Sequence, residues 1–181
     1  MTAPLRFGIN GLGRIGRALL RAARGRPGLE LAAINDVVPA HVLARLLARD
    51  TVHGPFPGEV RAGEGALVVD GRRIPVFQQP DPSGVDWAGV GVEAVVEATG
   101  RFIRREQAAA HLRGTVRRVV ISANADPSDP ADVTLALGIN GEAFDPERHA
   151  VVSNASCTTN ALALVAKVLV VHEALLTTAW R

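Results

Sequence analysis

Residues 10–16 read Asn-Gly-Leu-Gly-Arg-Ile-Gly, and this glycine-rich stretch decides the fold that we expect. A short apolar run at residues 5–9 precedes it, and apolar residues recur at helical spacing over residues 14–24. A second apolar run follows at residues 29–34. The pattern therefore predicts a strand–helix–strand unit in which a glycine-rich turn joins the first strand to the helix.

Each glycine of this turn has a separate expected role. Gly11 makes the tight turn, Gly13 lets the backbone approach a pyrophosphate, and Gly16 lets the helix pack on the strand. The unpaired N–H groups that open the helix at Arg14 and Ile15 then face the phosphates. The spacing predicts a dinucleotide site.

Polar residues at the ends of later strands extend this site. Asp36 lies 20 residues after Gly16, where a carboxylate accepts hydrogen bonds from the adenosine ribose; it favours NAD over NADP because it repels a 2′-phosphate. Ligands of a doubly wound sheet bind beyond the carboxyl ends of its strands. The predicted cofactor-binding residues are Asn10, Gly11, Gly13, Arg14, Ile15, Gly16, Asp36, Thr99, Gly100 and Ser122.

The remaining pattern predicts an α/β fold, a Rossmann-type doubly wound and mostly parallel sheet with an antiparallel hairpin insertion. The insertion spans residues 58–79 and turns at Asp70-Gly71. We expect helices at 39–49, 104–112 and 159–171, and further strands at 92–96, 119–121, 133–137, 150–152 and 175–178.

Composition excludes several classes of function. The 20 basic and 18 acidic residues leave a net charge of +2, and the arginines are dispersed, so no nucleic-acid partner is expected. We find no apolar run of 18 residues, no signal peptide and no metal-ligand spacing, so we expect neither membrane nor metal binding. One cysteine fits a reducing, cytoplasmic location.

That cysteine is the candidate nucleophile. Residues 153–160 read Ser-Asn-Ala-Ser-Cys-Thr-Thr-Asn, and they open an apolar, helix-like run. A helix N-terminus favours a reactive thiolate at Cys157, while Ser156 and Thr158 can donate to a substrate phosphate. No histidine stands at a motif position against it: we expect His111 and His172 on helix surfaces and His53 in a structural role. The candidate bases are His41, His53, His111, His149 and His172.

Residues 10–17 and 155–160 together resemble the phosphorylating, NAD-dependent glyceraldehyde-3-phosphate dehydrogenases, and the likeness runs from Phe7 to about Thr178. The resemblance implies a Rossmann NAD-binding domain at 1–155, and at 156–181 a catalytic-cysteine helix that starts a catalytic domain. It implies NAD as cofactor, a small phosphorylated aldehyde and inorganic phosphate as substrates, and a homotetramer. Cys157 would form the thioester from which phosphate releases 1,3-bisphosphoglycerate.

The chain also departs from this family pattern. Family members continue into a catalytic domain, which carries most of the tetramer interface and is missing here. Trp180 stands at the position of their general-base histidine. We therefore expect NAD binding with little turnover by the chain alone. Two alternatives stay open: an enzyme resembling erythrose-4-phosphate dehydrogenase, and a non-catalytic NAD-binding module.

Overall fold

The computed structural model describes the backbone of residues 3–179 and the side chains of residues 3–170. Its helices are α1 (Arg14–Ala23), α2 (Ala40–Ala48), α3 (Arg105–Ala109) and α4 (Cys157–Ala179). Its strands are β1 (Leu5–Asn10), β2 (Leu29–Asn35), β3 (Arg49–Asp50), β4 (Gly54–Pro55), β5 (Val60–Gly63), β6 (Ala66–Val69), β7 (Arg72–Phe77), β8 (Ala94–Glu97), β9 (Arg118–Ile121), β10 (Val133–Thr134) and β11 (Val151–Ser153).

Nine of these strands form one sheet in the order β10-β11-β9-β8-β1-β2-β7-β6-β5. Neighbours from β10 to β7 pair in parallel. Within that part, β7-β2-β1-β8-β9-β11 reproduces the 3-2-1-4-5-6 order of a dinucleotide-binding sheet. The predicted doubly wound, mostly parallel fold is confirmed, and the carboxyl ends of its parallel strands share one edge.

The hairpin insertion is also confirmed, but it is not a separate sheet. Strand β7 pairs in parallel with β2 on one side and antiparallel with β6 on the other, so the insertion extends the main sheet. Asp70 and Gly71 both have positive φ, 51° and 79°, as the two central residues of a type I′ turn require. The small antiparallel pair β3–β4 was not expected from the sequence.

Apolar side chains cover the sheet on both faces. On one face, Leu20 of α1 and Leu47 of α2 pack with Ile9 and Ile34 of the central strands. On the other, Ala108 of α3 packs with strand residues that include Val119. Burial on both faces explains why apolar residues outnumber polar ones in the central parallel strands.

Three sequence predictions are wrong. Helix α3 ends at Ala109, and His111, expected on a helix surface, lies beyond it in a turn and is only 1% exposed. Helix α4 begins at Cys157 and continues to Ala179, so the strand predicted at 175–178 is helical. Strand β10 has two residues instead of five. The side chains of His172 and Trp180 lie outside the described residues.

None of the helices in the described part of the chain is both long enough and apolar enough to cross a membrane. The same residues hold no group of three or more His, Cys, Asp or Glu side chains arranged around a common metal position.

Candidate dinucleotide cleft and cysteine helix

The glycine-rich turn between β1 and α1 is built so tightly that two positions exclude a side chain. Gly11 has a φ of 92°, and a Cβ there would lie 2.8 Å from the backbone N of Thr99. A Cβ on Gly16 would lie 2.2 Å from the carbonyl oxygen of Gly11. The start of α1 therefore lies so close to the strand ends that only glycine fits at these two positions.

The N-terminus of α1 is open. No described side chain caps it, and its first turn contains no acidic residue, so its leading N–H groups are available. Gly13, Arg14 and Ile15 are exposed, and a Cβ on Gly13 would meet no atom within 4 Å. An uncapped helix end beside open space is the geometry that a pyrophosphate needs.

Asp36 stands beside this turn, directly after β2. Its Oδ2 accepts a hydrogen bond from the Leu12 amide at 2.7 Å, and its Oδ1 accepts one from the Val38 amide at 2.9 Å. Each carboxylate oxygen can accept a further bond. The side chain is therefore fixed in place while it keeps acceptor capacity for ribose hydroxyls.

Five of the predicted residues line a cleft of about 210 Å³: Asn10, Gly11, Gly13, Asp36 and Thr99. It does not include Arg14, Ile15, Gly16, Gly100, Ser122 or Cys157 among its lining residues. Pro80 also lines the cleft, and sequence reasoning missed the other lining residues, which are Asn35, Val37, Gln79, Ala98, Arg101 and Phe102. Their positions at strand ends next to predicted residues are the signal that could have indicated several of them.

The sheet order arranges the predicted residues in a line. Asp36 follows β2, the glycine-rich turn follows β1, Thr99 follows β8, Ser122 follows β9 and Cys157 follows β11. Adjacent strands lie ~4.8 Å apart, so β1 and β11 are separated by roughly 14 Å. An extended ligand with its phosphates at α1 can therefore run past Thr99 and Ser122 toward Cys157.

Cys157 is the first residue of α4 and its thiol is exposed. The turn that precedes it is strained: Ala155 is buried and has a φ of 56°, a conformation that costs a non-glycine residue energy. The Ser153 hydroxyl accepts from the Ala155 amide at 3.2 Å and donates to the Ala123 carbonyl at 2.7 Å. The turn thus holds the cysteine at the carboxyl edge of the sheet.

Ser156 caps the cysteine helix. Its hydroxyl oxygen accepts a hydrogen bond from the Thr159 amide at 2.9 Å, the bond of an N-cap to the third helical residue. The Ser156 hydroxyl also lies 3.0 Å from the Thr158 hydroxyl. Both predicted substrate-binding hydroxyls therefore stand beside Cys157, and the structure shows a local helix-capping role for one of them.

None of the histidine side chains in the described range hydrogen-bonds to Cys157. His111 is buried against Trp87 and Glu97, and His149 accepts from the Asp145 amide through Nδ1 at 3.0 Å. The described residues therefore contain a positioned thiol without a base in contact with it.

The strand order, the open glycine-rich turn and the carboxylate after β2 define a dinucleotide-binding protein of the Rossmann type. Comparison with known proteins narrows the class. Residues 5–105 match the family model described as glyceraldehyde 3-phosphate dehydrogenase, NAD binding domain. The chain belongs to the glyceraldehyde-3-phosphate dehydrogenase family, and its cofactor is NAD.

Curated relatives agree with this assignment over most of the chain. Glyceraldehyde-3-phosphate dehydrogenase 1 of Bacillus cereus is 50% identical over 164 residues, which are 91% of this chain and 48% of that protein. The Geobacillus stearothermophilus enzyme is 48% identical over 169 residues, 93% of this chain and 49% of its own length. The Kitasatospora aureofaciens enzyme is 51% identical over 165 residues, which are 91% of this chain and 49% of that protein. The chain spans about half the length of these relatives.

Proposed function

We propose that this chain supplies the NAD site and the cysteine nucleophile for the phosphorylating oxidation of glyceraldehyde 3-phosphate to 1,3-bisphosphoglycerate. The single observation that carries the proposal is the row of strand ends that leads from Asp36 past the open end of α1 to Cys157. The curated relatives, named as glyceraldehyde-3-phosphate dehydrogenases, support this substrate over erythrose 4-phosphate.

The NAD end of the proposal assigns each group a task. The uncapped N–H groups at Arg14 and Ile15 bind the pyrophosphate, which Gly13 lets approach closely. Asp36 accepts from the adenosine ribose. Asn10, Thr99, Gly100 and Ser122 line the path toward the nicotinamide.

The reacting end rests on Cys157. Its thiolate sulfur adds to the aldehyde carbon, and the carbonyl oxygen takes up a proton to give a hemithioacetal. Loss of a hydride from that carbon and of the hydroxyl proton re-forms the C=O bond as a thioester; inorganic phosphate then attacks this carbon, and the sulfur leaves as the thiolate. NAD, when bound, accepts the hydride that leaves the substrate carbon. The hydroxyls of Ser156 and Thr158 lie beside the thiol, where they can donate to the substrate or to phosphate.

A boundary near residue 155 is part of the proposal, with residues 1–155 as the NAD-binding domain and 156–181 as the catalytic-cysteine helix and the start of a catalytic domain. Exposure along α4 supports it, because Leu162 is 69% exposed and Val168 is 67% exposed although both are apolar. We also propose a cytoplasmic location, which the single cysteine supports. The homotetramer is what the resemblance implies for the family, most of whose interface lies outside the part that this chain matches.

The first experiment titrates the chain with NAD and with NADP by calorimetry, beside the variant Asp36→Ala. We expect the parent to prefer NAD, and Asp36→Ala to narrow that preference because the carboxylate no longer repels a 2′-phosphate. Equal affinities of the parent for the two nucleotides would contradict the assignment of Asp36.

The second experiment measures NADH absorbance with NAD, phosphate and glyceraldehyde 3-phosphate, with Cys157→Ser as control. Because no histidine contacts the thiol among the described side chains, we expect turnover by the chain alone to be low; a missing general base costs about 10²–10⁴-fold. Any turnover that remains must vanish in Cys157→Ser. Turnover that persists in this variant would contradict the role of the cysteine.

A further inference from the structure

A row of buried polar side chains crosses the carboxyl edge of the sheet beneath the cleft. Asn10, Asn35 and Glu97 are the last residues of β1, β2 and β8, and register places both Asn35 and Glu97 directly opposite Asn10. Their exposures are 1%, 3% and 1%. Buried polar groups are costly unless they are hydrogen-bonded, so the row must satisfy itself.

Within this row, each hydrogen bond is donated in the direction of Glu97. The Asn35 Nδ2 donates to the Asn10 Oδ1 at 2.7 Å, and the Asn10 Nδ2 donates to the Glu97 Oε2 at 2.5 Å. The Glu97 Oε1 accepts from the Thr99 amide at 2.8 Å and from the Thr99 hydroxyl. A single carboxylate thus receives the donors that line one side of the cleft.

At the Glu97 end of the row, Trp87 and His111 prevent the donor-to-acceptor direction of the hydrogen bonds from reversing. Trp87 can only donate, and its Nε1 lies 3.0 Å from the His111 Nδ1, which must therefore accept. The ring proton of His111 then lies on Nε2, 3.3 Å from the Glu97 Oε2.

At the Asn35 end of the row, the bonds are fixed by main-chain groups, in which the N–H can only donate and the carbonyl oxygen can only accept. The backbone N of Gln79 donates to the Asn35 Oδ1 at 2.9 Å, and the Asn35 Nδ2 donates to the backbone O of Gln79 at 2.9 Å. The amide orientations of Asn35 and then of Asn10 follow from these two bonds.

We propose that Glu97, held in place by His111, is a positioning residue of the NAD cleft. It determines which hydrogen-bonding atoms Asn10 and Thr99 present to the dinucleotide. The inference rests on the proposed function. The only hydroxyl proton of Thr99 is given to Glu97, so this hydroxyl can only accept from a ligand. The Asn10 amide is likewise held in one orientation at the cleft wall.

The variant Glu97→Gln keeps the shape and replaces one acceptor oxygen with a donor. In one orientation the new NH₂ faces the Asn10 Nδ2 and the His111 Nε2; in the other it faces the Thr99 amide. Since neither end of the row can reverse, Asn10 or Thr99 must move. We expect the NAD dissociation constant to rise about tenfold, the equivalent of one hydrogen bond to a charged group.

The control is Glu30→Gln. Glu30 is another carboxylate that accepts hydrogen bonds from side chains, 2.5 Å from Arg6 and 3.2 Å from Arg72, but it does not line the cleft. Calorimetric titration with NAD, at a temperature where circular dichroism shows each variant folded, should give the parent value for Glu30→Gln and a weakened one for Glu97→Gln.

A second pair separates positioning from packing. His111→Gln retains an N–H that can reach Glu97, whereas His111→Leu removes it, and both lose the imidazole that packs against Trp87. We expect both variants to lose stability but only His111→Leu to lose NAD affinity. This pair also decides the question if Glu97→Gln does not fold.

The positioning role is overturned if Glu97→Gln binds NAD as tightly as Glu30→Gln, or if His111→Gln weakens binding as much as His111→Leu. Either result would show that affinity does not follow the hydrogen bonds of the row. A parent chain that fails to bind NAD would instead overturn the proposed function, and this inference with it.

Discussion

The two glycines at the start of α1 should respond in opposite ways to the same added methyl group. At Gly16, a Cβ would lie 2.2 Å from the Gly11 carbonyl oxygen, more than 1 Å inside ordinary van der Waals contact. The obstacle is main chain that is itself held by the strand, so it cannot rotate away. Overpacking of this kind costs about 2–3 kcal/mol, so we expect Gly16→Ala to lower the melting temperature by roughly 4–12 °C.

The matched variant Gly13→Ala carries the same methyl into open space. Gly13 has a φ of −70°, which any L-residue adopts, and no atom lies within 4 Å of its virtual Cβ. Reduced freedom of the unfolded chain contributes about 0.4–1 kcal/mol, and the poorer N-cap offsets a similar amount. Stability should therefore stay within about 0.5 kcal/mol of the parent value.

For NAD affinity we expect the reverse order, with Gly13→Ala the variant that loses more. The methyl of Gly13→Ala occupies the space through which the pyrophosphate reaches the helix N–H groups, and loss of one charged hydrogen bond weakens binding about tenfold or more. Urea unfolding and NAD calorimetry on parent, Gly13→Ala and Gly16→Ala measure both quantities. Two results would refute this reasoning: a Gly13→Ala chain that binds NAD like the parent, or one destabilised as much as Gly16→Ala.

Three further predictions test the fold and the thiol. Two donors on Ser128, its hydroxyl first and then its amide, lower the pKa of Asp126 to about 2. The stability that Asp126→Asn removes at neutral pH should therefore decline as the pH falls from about 5 to about 1, because only below both the unfolded and the folded pKa is the parent carboxylate fully protonated as well. An undiminished difference between parent and variant at about pH 1 in urea titrations would contradict this. Leu47→Ala empties a fully buried site and should cost about 2–5 kcal/mol, whereas Leu137→Ala, at a site 85% exposed, should stay within about 0.5 kcal/mol. Cys157 should react with a disulfide reagent at one equivalent per chain without denaturant; reaction only after unfolding would contradict its exposure.

Local patterns in the sequence predicted the sheet and the glycine-rich turn well. The turn requires only neighbouring residues: a strand, glycines at fixed spacing and a helix, with Asp36 at the end of the next strand. The type I′ turn at Asp70-Gly71 is equally local. These features could be predicted because each depends on backbone conformations that a few adjacent residues determine.

Helix ends were predicted less well where tertiary contacts decide them. Residues 104–112 have a helical pattern, but α3 stops at Ala109 and the chain turns so that His111 points into the core. The gain comes from the indole of Trp87 and the carboxylate of Glu97, residues distant in sequence. Nothing adjacent to His111 indicates these partners, so its surface assignment was wrong for a physical reason.

The polar row beneath the cleft shows the same limit most clearly. Asn10, Asn35 and Glu97 become neighbours only because β1 pairs with β2 and β8 in a register that aligns their last residues. A shift of one residue in either pair would turn a side chain to the other face and break the row. Each of the three had a plausible local explanation as the polar end of a strand. Their joint effect on the cleft follows from the register, and the Glu97→Gln titration tests whether that register serves the ligand as well as the fold.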